Sequence, residues 1–114
     1  ASIFLVMAVP ESPFAQPRHV VFGHFMASLI GLICLHLLGD FWWSMALALA
    51  ITTLAMIVLK VSHPPAGSNP IAIFLITPGW DFLWLPTGLG SFVIVLIALL
   101  YNNLIPNRTY PKYW

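Results

Sequence analysis

Apolar residues run along this chain in blocks of roughly bilayer length, each closed by a short polar stop. His19 to Leu38 lies between Arg18 and Gly39-Asp40, Phe41 to Leu59 stops at Lys60, and Thr87 to Ile105 stops at Pro106-Asn107-Arg108. A helix that spans the hydrocarbon core needs about 20 mostly apolar residues, and all three blocks meet that need. Two further segments are apolar but irregular. Ala1 to Val9 reads as the end of a helix stopped by Pro10. Ile71 to Leu85 is interrupted by Pro78-Gly79 and Asp81, so it reads as a short helix followed by broken structure. The pattern predicts an all-α integral membrane protein, a compact bundle of about four to five transmembrane segments, two of them broken by proline-rich motifs.

Those motifs are Pro10-Glu11-Ser12-Pro13-Phe14-Ala15-Gln16-Pro17-Arg18 and His63-Pro64-Pro65-Ala66-Gly67-Ser68-Asn69-Pro70. Each follows an apolar helix, passes through a Ser/Pro break and Gln-Pro or Asn-Pro, and leads into another apolar helix. Interrupted segments in matching positions of an internal repeat point to a transporter's binding site. Prolines at ordinary helix ends give the same pattern without function.

Five crossings would place Arg18, Lys60, Arg108 and Lys112 on one side and Asp40 and Asp81 on the other. The positive-inside rule makes the basic side cytoplasmic or its organellar equivalent. Trp42, Trp43, Trp80 and Trp84 would then belt one interface, and Tyr110, Tyr113 and Trp114 the other. Gly23, Ala27 and Gly31 recur every four residues, a small-residue stripe that lets another helix approach closely, flanked by His24 and Ser28. Ala46 and Ala50 repeat the spacing on the next block, and Gly88, Gly90 and Ser91 keep the start of the last one thin.

Composition turns the pattern into a class. The chain is 61% apolar and only 6% charged, with a formal charge of +1. A soluble domain carries about a quarter charged residues, and a chain of 114 residues cannot hide so much apolar surface from water. The excess must face lipid or a partner subunit. No basic footprint for nucleic acid exists. The single cysteine, Cys34, excludes an intrachain disulfide and reads as a small core residue. The apolar start at Ala1 lacks the basic leader of a signal peptide, so it reads as part of a longer chain.

No enzyme constellation is present: there is no phosphate loop, no paired carboxylates and no Cys-x-x-Cys. His19 and His24 sit about 140° apart on a helix, and His24 and His36 about 120°, so one helix cannot converge them on a metal. No metal, cofactor or catalytic residue is expected. Polar groups at membrane depth are costly and are functional suspects. The candidates are Arg18, His24 and His63, with Ser12, Gln16, Gly67, Ser68 and Asn69 around them. If both proline motifs meet on one side, two helix N-termini, a guanidinium and imidazoles would favour a small anion. The alternative is that Ser, Asn and Gln satisfy irregular backbone and Arg18 anchors its helix at the headgroups.

At this point a family resemblance emerges. His63-Pro64-Pro65-Ala66-Gly67 with Asn69-Pro70 resembles the signature of the HPP family of integral membrane proteins. The likeness extends to Pro10-Glu11-Ser12-Pro13, Ala15-Gln16-Pro17-Arg18, Gly23-His24, and Tyr110-Pro111 with Tyr113-Trp114. It implies a compact helical membrane domain over 1–114 whose first helix precedes Ala1, located in a bacterial inner membrane or a plastid membrane. It also implies transport of a small anion, nitrite first, by a homo-oligomer or a larger membrane complex. The competing expectation is an accessory transmembrane subunit packed within such a complex.

Overall fold

A computed structural model describes residues 1–114. Five α-helices carry the chain: α1 (Ser2–Ala8), α2 (Pro17–Leu38), α3 (Trp42–Val58), α4 (Asn69–Ile76) and α5 (Leu89–Leu104). The three long blocks expected from hydropathy are present as α2, α3 and α5, displaced by only a residue or two at most ends. Pro17 opens α2 at its first position, where a missing N–H costs nothing. Gly39 closes it with φ +91, and a side chain there would be strained and would meet the Phe41 ring.

Each proline motif becomes a short 3-10 turn that feeds a helix with proline in its first turn. Pro13–Ala15 leads into α2, and Pro64–Ser68 leads into α4. The repeat is therefore real as local architecture, but α2 has 22 residues and α4 only 8. Thr77 ends α4 in the left-handed region at φ 50. The stretch Ile71–Leu85 is thus a short helix followed by irregular turns, as its Pro78-Gly79 break implies. Eight residues rise about 12 Å, well short of a bilayer. The return begins at Trp80, where a 25-residue apolar stretch, Trp80–Leu104, is bent by the extended Leu85 (φ −132, ψ 118) before it becomes α5. Two stretches are long and apolar enough to span a membrane, Pro17–Leu38 and Trp80–Leu104, whose 18-residue windows reach mean hydropathies of 2.0 and 2.2.

Central α2 packs against α3, α4 and α5, while α1 lies on α5. The small-residue stripe does what its spacing predicts. A Cβ on Gly23 would lie 2.8 Å from the Cβ of His63, and one on Gly31 would lie 3.1 Å from Pro70 Cα. The stripe on α3 is a different one: Ala46 and Ala50 are exposed, and Ser44, Ala48, Thr52 and Met56 face inward. Outward, α3 and α5 present Leu54, Ile57, Phe92, Leu100 and Leu104, an apolar exterior suited to lipid.

Polar contacts sort the connections into two ends. His19 Nδ1 lies 2.9 Å from Ser62 O, and Tyr110 Oη donates to Ala15 O at 2.7 Å. These bonds gather the segments bearing Arg18, Lys60, Arg108 and Lys112. At the far end His36 stacks on Trp80 with ring centroids 5.0 Å apart, near Asp40 and Asp81. Tyr110 is only 2% exposed, so it is a core residue and not part of an aromatic belt. In a Cys34→Ala background of the full-length protein, Lys60→Cys and Asp40→Cys are expected to react with an impermeant maleimide from opposite faces of the membrane. Labelling of both from one face rules out this arrangement.

Candidate functional site

Three of the residues suspected from sequence converge, and each is placed by a local feature. Pro64 biases the preceding His63 toward extended backbone, observed at φ −137 and ψ 91. Gly23 leaves the gap on α2 into which His63 fits. His24 follows on the same helix, and Asn69 opens α4 opposite it.

A hydroxyl joins the imidazoles. Ser2 Oγ on α1 lies 2.8 Å from His24 Nε2 and 2.9 Å from His63 Nε2, with the ring centroids 5.0 Å apart. The direction of the protons follows from the far end. His63 Nδ1 sits 2.7 Å from Phe14 O, and a carbonyl only accepts, so Nδ1 carries the hydrogen. Neutral His63 then accepts at Nε2 from the Ser2 hydroxyl. Ser2 Oγ in turn accepts from His24 Nε2–H, which leaves His24 Nδ1 as an acceptor for Asn69 Nδ2 at 3.1 Å. Asn69 Nδ2 also donates to Ser28 Oγ at 2.9 Å, and Ser28 Oγ is 2.7 Å from Thr87 Oγ1. Thr87, Ser28, Asn69, His24, Ser2 and His63 thus form one hydrogen-bonded row ending on the Phe14 carbonyl.

His63, in the connection before α4, is fully buried. Burial pushes its pKa down to about 4; the Phe14 carbonyl pulls upward, and the neighbouring imidazoles of His24 and His19 lower it further. It is neutral near pH 7.

Two recesses flank the row. One of about 170 Å³ is lined by His24, Asn69, Thr87, Gly90 and Ser91 together with apolar Phe82 and Ile94. The other, of about 360 Å³, is lined by Phe14, Thr53, Ser62, His63, Pro64 and Gly67 among others. They share no residue.

The remaining candidates stand elsewhere. Arg18 is exposed and borders a separate, largely apolar recess with Phe22, Met26 and Leu59. Ser12 Oγ accepts from Phe14 N and so steadies the turn whose carbonyl holds His63. Gln16 is buried and binds the backbone of Pro10, Ser12 and Lys112. Ser68 is exposed and donates to Pro65 O. A Cβ on Gly67 would meet nothing within 4 Å, so no close backbone approach requires glycine there. Ser12, Gln16 and Ser68 therefore satisfy irregular backbone, while His24, His63 and Asn69 form the cluster. Sequence reading missed Ser2 and Thr87 and took Ser28 for packing. His24 and Ser28, four apart on one face, were the available signal. No group of three or more His, Cys, Asp or Glu gathers as a metal site would require.

The family model for the HPP transmembrane region matches residues 1–111. The chain belongs to the HPP transmembrane family. Among curated relatives of this HPP chain, a transmembrane protein of Dictyostelium discoideum is 31% identical over 122 aligned positions, covering 100% of the chain and 43% of the relative. A second transmembrane protein from the same organism is 30% identical over 122 positions, covering 100% and 39%. The chain thus spans less than half the length of these curated relatives. No solved structure matches. In this HPP-family chain the row is buried between α1, α2 and the start of α4.

Proposed function

We propose that this HPP chain forms the core of a small-anion transporter or channel, with nitrite as the leading substrate and the recess beside His24 and Asn69 as its binding point. The observation that carries the reading is the size and lining of that recess. About 170 Å³ is below the roughly 300 Å³ at which pockets for organic ligands begin, so a small ion with some of its water fits and a metabolite does not. Thr87 brings a hydroxyl and His24 a ring that gains a second N–H when protonated, while Ser91 and Asn69 hold the wall by donating to Gly88 O and Ser28 Oγ. No fixed charge stands there, which lets an anion leave as readily as it binds. A homo-oligomer or larger membrane complex would enclose the rest of the pathway.

The accessory-subunit reading draws support from the exposed apolar faces of α3 and α5. Flux decides between the two. In proteoliposomes of the full-length protein, nitrite influx is compared with formate, nitrate and chloride. Thr87→Val is expected to lower nitrite flux about tenfold, the worth of one hydrogen bond at ~1.4 kcal/mol. Arg18→Gln, away from the recess, should leave flux within about a factor of two, as an exposed charge contributes little. Wild-type protein that moves none of these anions would put the subunit reading first.

A further inference from the structure

The two arginines of this chain have different surroundings. Arg108 donates to Met7 O at 2.7 Å and to Asn102 Oδ1 at 3.2 Å, so it belongs to the bundle's own bonding. Arg18 makes no hydrogen bond within the chain and stands exposed at the head of a recess of about 390 Å³. From it Phe22, Met26 and Leu29 follow along α2 at intervals of four, four and three residues, so they share one face and line the recess. Leu59 and Val61, beyond the end of α3, line it from the other side. The rise from Arg18 to Leu29 is about 16 Å along an α-helix, close to the ~15 Å of hydrocarbon in one bilayer leaflet. The groove is therefore as deep as a leaflet, with a cation at the headgroup level.

Further cations gather at the same rim. Lys60 stands between Leu59 and Val61, in the left-handed region at φ 56. The contact of His19 Nδ1 with Ser62 O at 2.9 Å holds that connection against the start of α2. Gln16 Oε1 accepts from Lys112 N at 2.8 Å, which brings the segment bearing Lys112 beside the turn before Arg18. Trp114 then meets Phe22 edge-on, with ring centroids 6.2 Å apart. Glu11, the one acidic side chain at this end, forms no ion pair with any of the three cations.

We propose that this groove binds one anionic phospholipid from the leaflet on the basic side, its phosphate on Arg18 and Lys60 and one acyl chain along Phe22, Met26 and Leu29. A guanidinium meets a phosphate through paired N–H donors and an ammonium adds a point charge. Basic pockets between helices at the cytoplasmic face suit such headgroups. A zwitterionic headgroup would bring its own cation among three others, whereas a headgroup charged only at the phosphate brings none. A second copy of this chain fits less well, since it offers only Glu11 at this level to answer those cations, and an unpaired charge is costly to cover. The groove shares no lining residue with the recess beside His24, so the lipid ties α2 to the segment after α3 and takes no part in solute binding.

Native mass spectrometry of the full-length protein in detergent tests the site, with phosphatidylglycerol and phosphatidylcholine of the same chains added in equal amounts. One phosphatidylglycerol per chain is expected to stay bound at a collision energy that strips phosphatidylcholine. Arg18→Gln should weaken its binding about tenfold, the scale of a lost charge-assisted hydrogen bond. Lys60→Gln should weaken it about fivefold, the worth of one basic residue near an anionic headgroup. Dihexanoyl phosphatidylglycerol, with the same headgroup but chains too short to fill the groove, should bind more than about tenfold more weakly. The comparisons between lipids use wild-type protein, so they hold even where a substitution disturbs folding. Equal retention of the two long-chain lipids, phosphatidylglycerol binding undiminished in Arg18→Gln, or a stable dimer that carries no lipid overturns the site. Nitrite flux is read separately, so its absence refutes the anion reading alone.

Discussion

Gly23→Ala is expected to lower the thermal midpoint of the detergent-solubilised protein, and Gly90→Ala to raise it. Alanine in a helix interior is ordinarily favoured over glycine by about 1 kcal/mol. At Gly90 that gain is free, because a Cβ there meets nothing within 4 Å. At Gly23 it meets His63 Cβ at 2.8 Å and Val61 O at 3.2 Å, a contact real side chains do not make. The His63 side cannot yield easily, since its ring is held by Phe14 O and Ser2 Oγ. Overpacking costs about 1–3 kcal/mol, so the sign reverses, and Gly23→Leu should prevent accumulation of folded protein. Differential scanning fluorimetry with size-exclusion chromatography reads both. A Gly23→Ala midpoint at or above wild type would mean that α2 and the His63 segment are not in contact.

Gln16→Leu should be the other severe substitution. Its buried carboxamide donates to Pro10 O at 2.9 Å and Ser12 O at 2.8 Å, and accepts from Lys112 N at 2.8 Å. One side chain therefore ties the first proline turn, the start of α2 and the segment after α5. Leucine has similar volume but leaves those backbone groups unpaired, at about 1–3 kcal/mol for each that stays buried. The combined loss is on the order of 3–5 kcal/mol, within reach of a protein's whole stability. Trypsin should then cut faster after Arg108 and Lys112. Equal cleavage rates and an unchanged midpoint would show that the carboxamide is dispensable.

How far the sequence reveals this arrangement varies with the range of the interaction. The long helices α2, α3 and α5 were legible because bilayer-length apolar runs have few other uses. The Gly23–Gly31 stripe was legible because small residues at four-residue spacing leave room for a neighbouring segment. On α3 the same rule misled: Ala46 and Ala50 are small without being buried, and hydroxyl-bearing Ser44 and Thr52 occupy the contact. His63 and Asn69 stood out through their motif. Ser2 and Thr87 did not, since a single hydroxyl in an apolar run looks like tolerated polarity until its partner is placed. Ser2 meets His63 across 61 positions. Arg18 attracted notice as a charge near a membrane edge, but its neighbours are apolar.

Val6, Met7 and Ala15 near the start of the chain are held by Asn102, Arg108 and Tyr110, partners that lie 96, 101 and 95 residues later. Ribosomes add roughly 5–20 residues per second, so those partners emerge about 5–20 s after the carbonyls that need them. For that interval α1 faces the bilayer or the insertion machinery with the α5 side of its surface uncovered. Assembly of this bundle is thus a closing of a ring in time: α1 must wait for the end of α5 and the segment after it, and a stall in synthesis anywhere between them leaves it waiting.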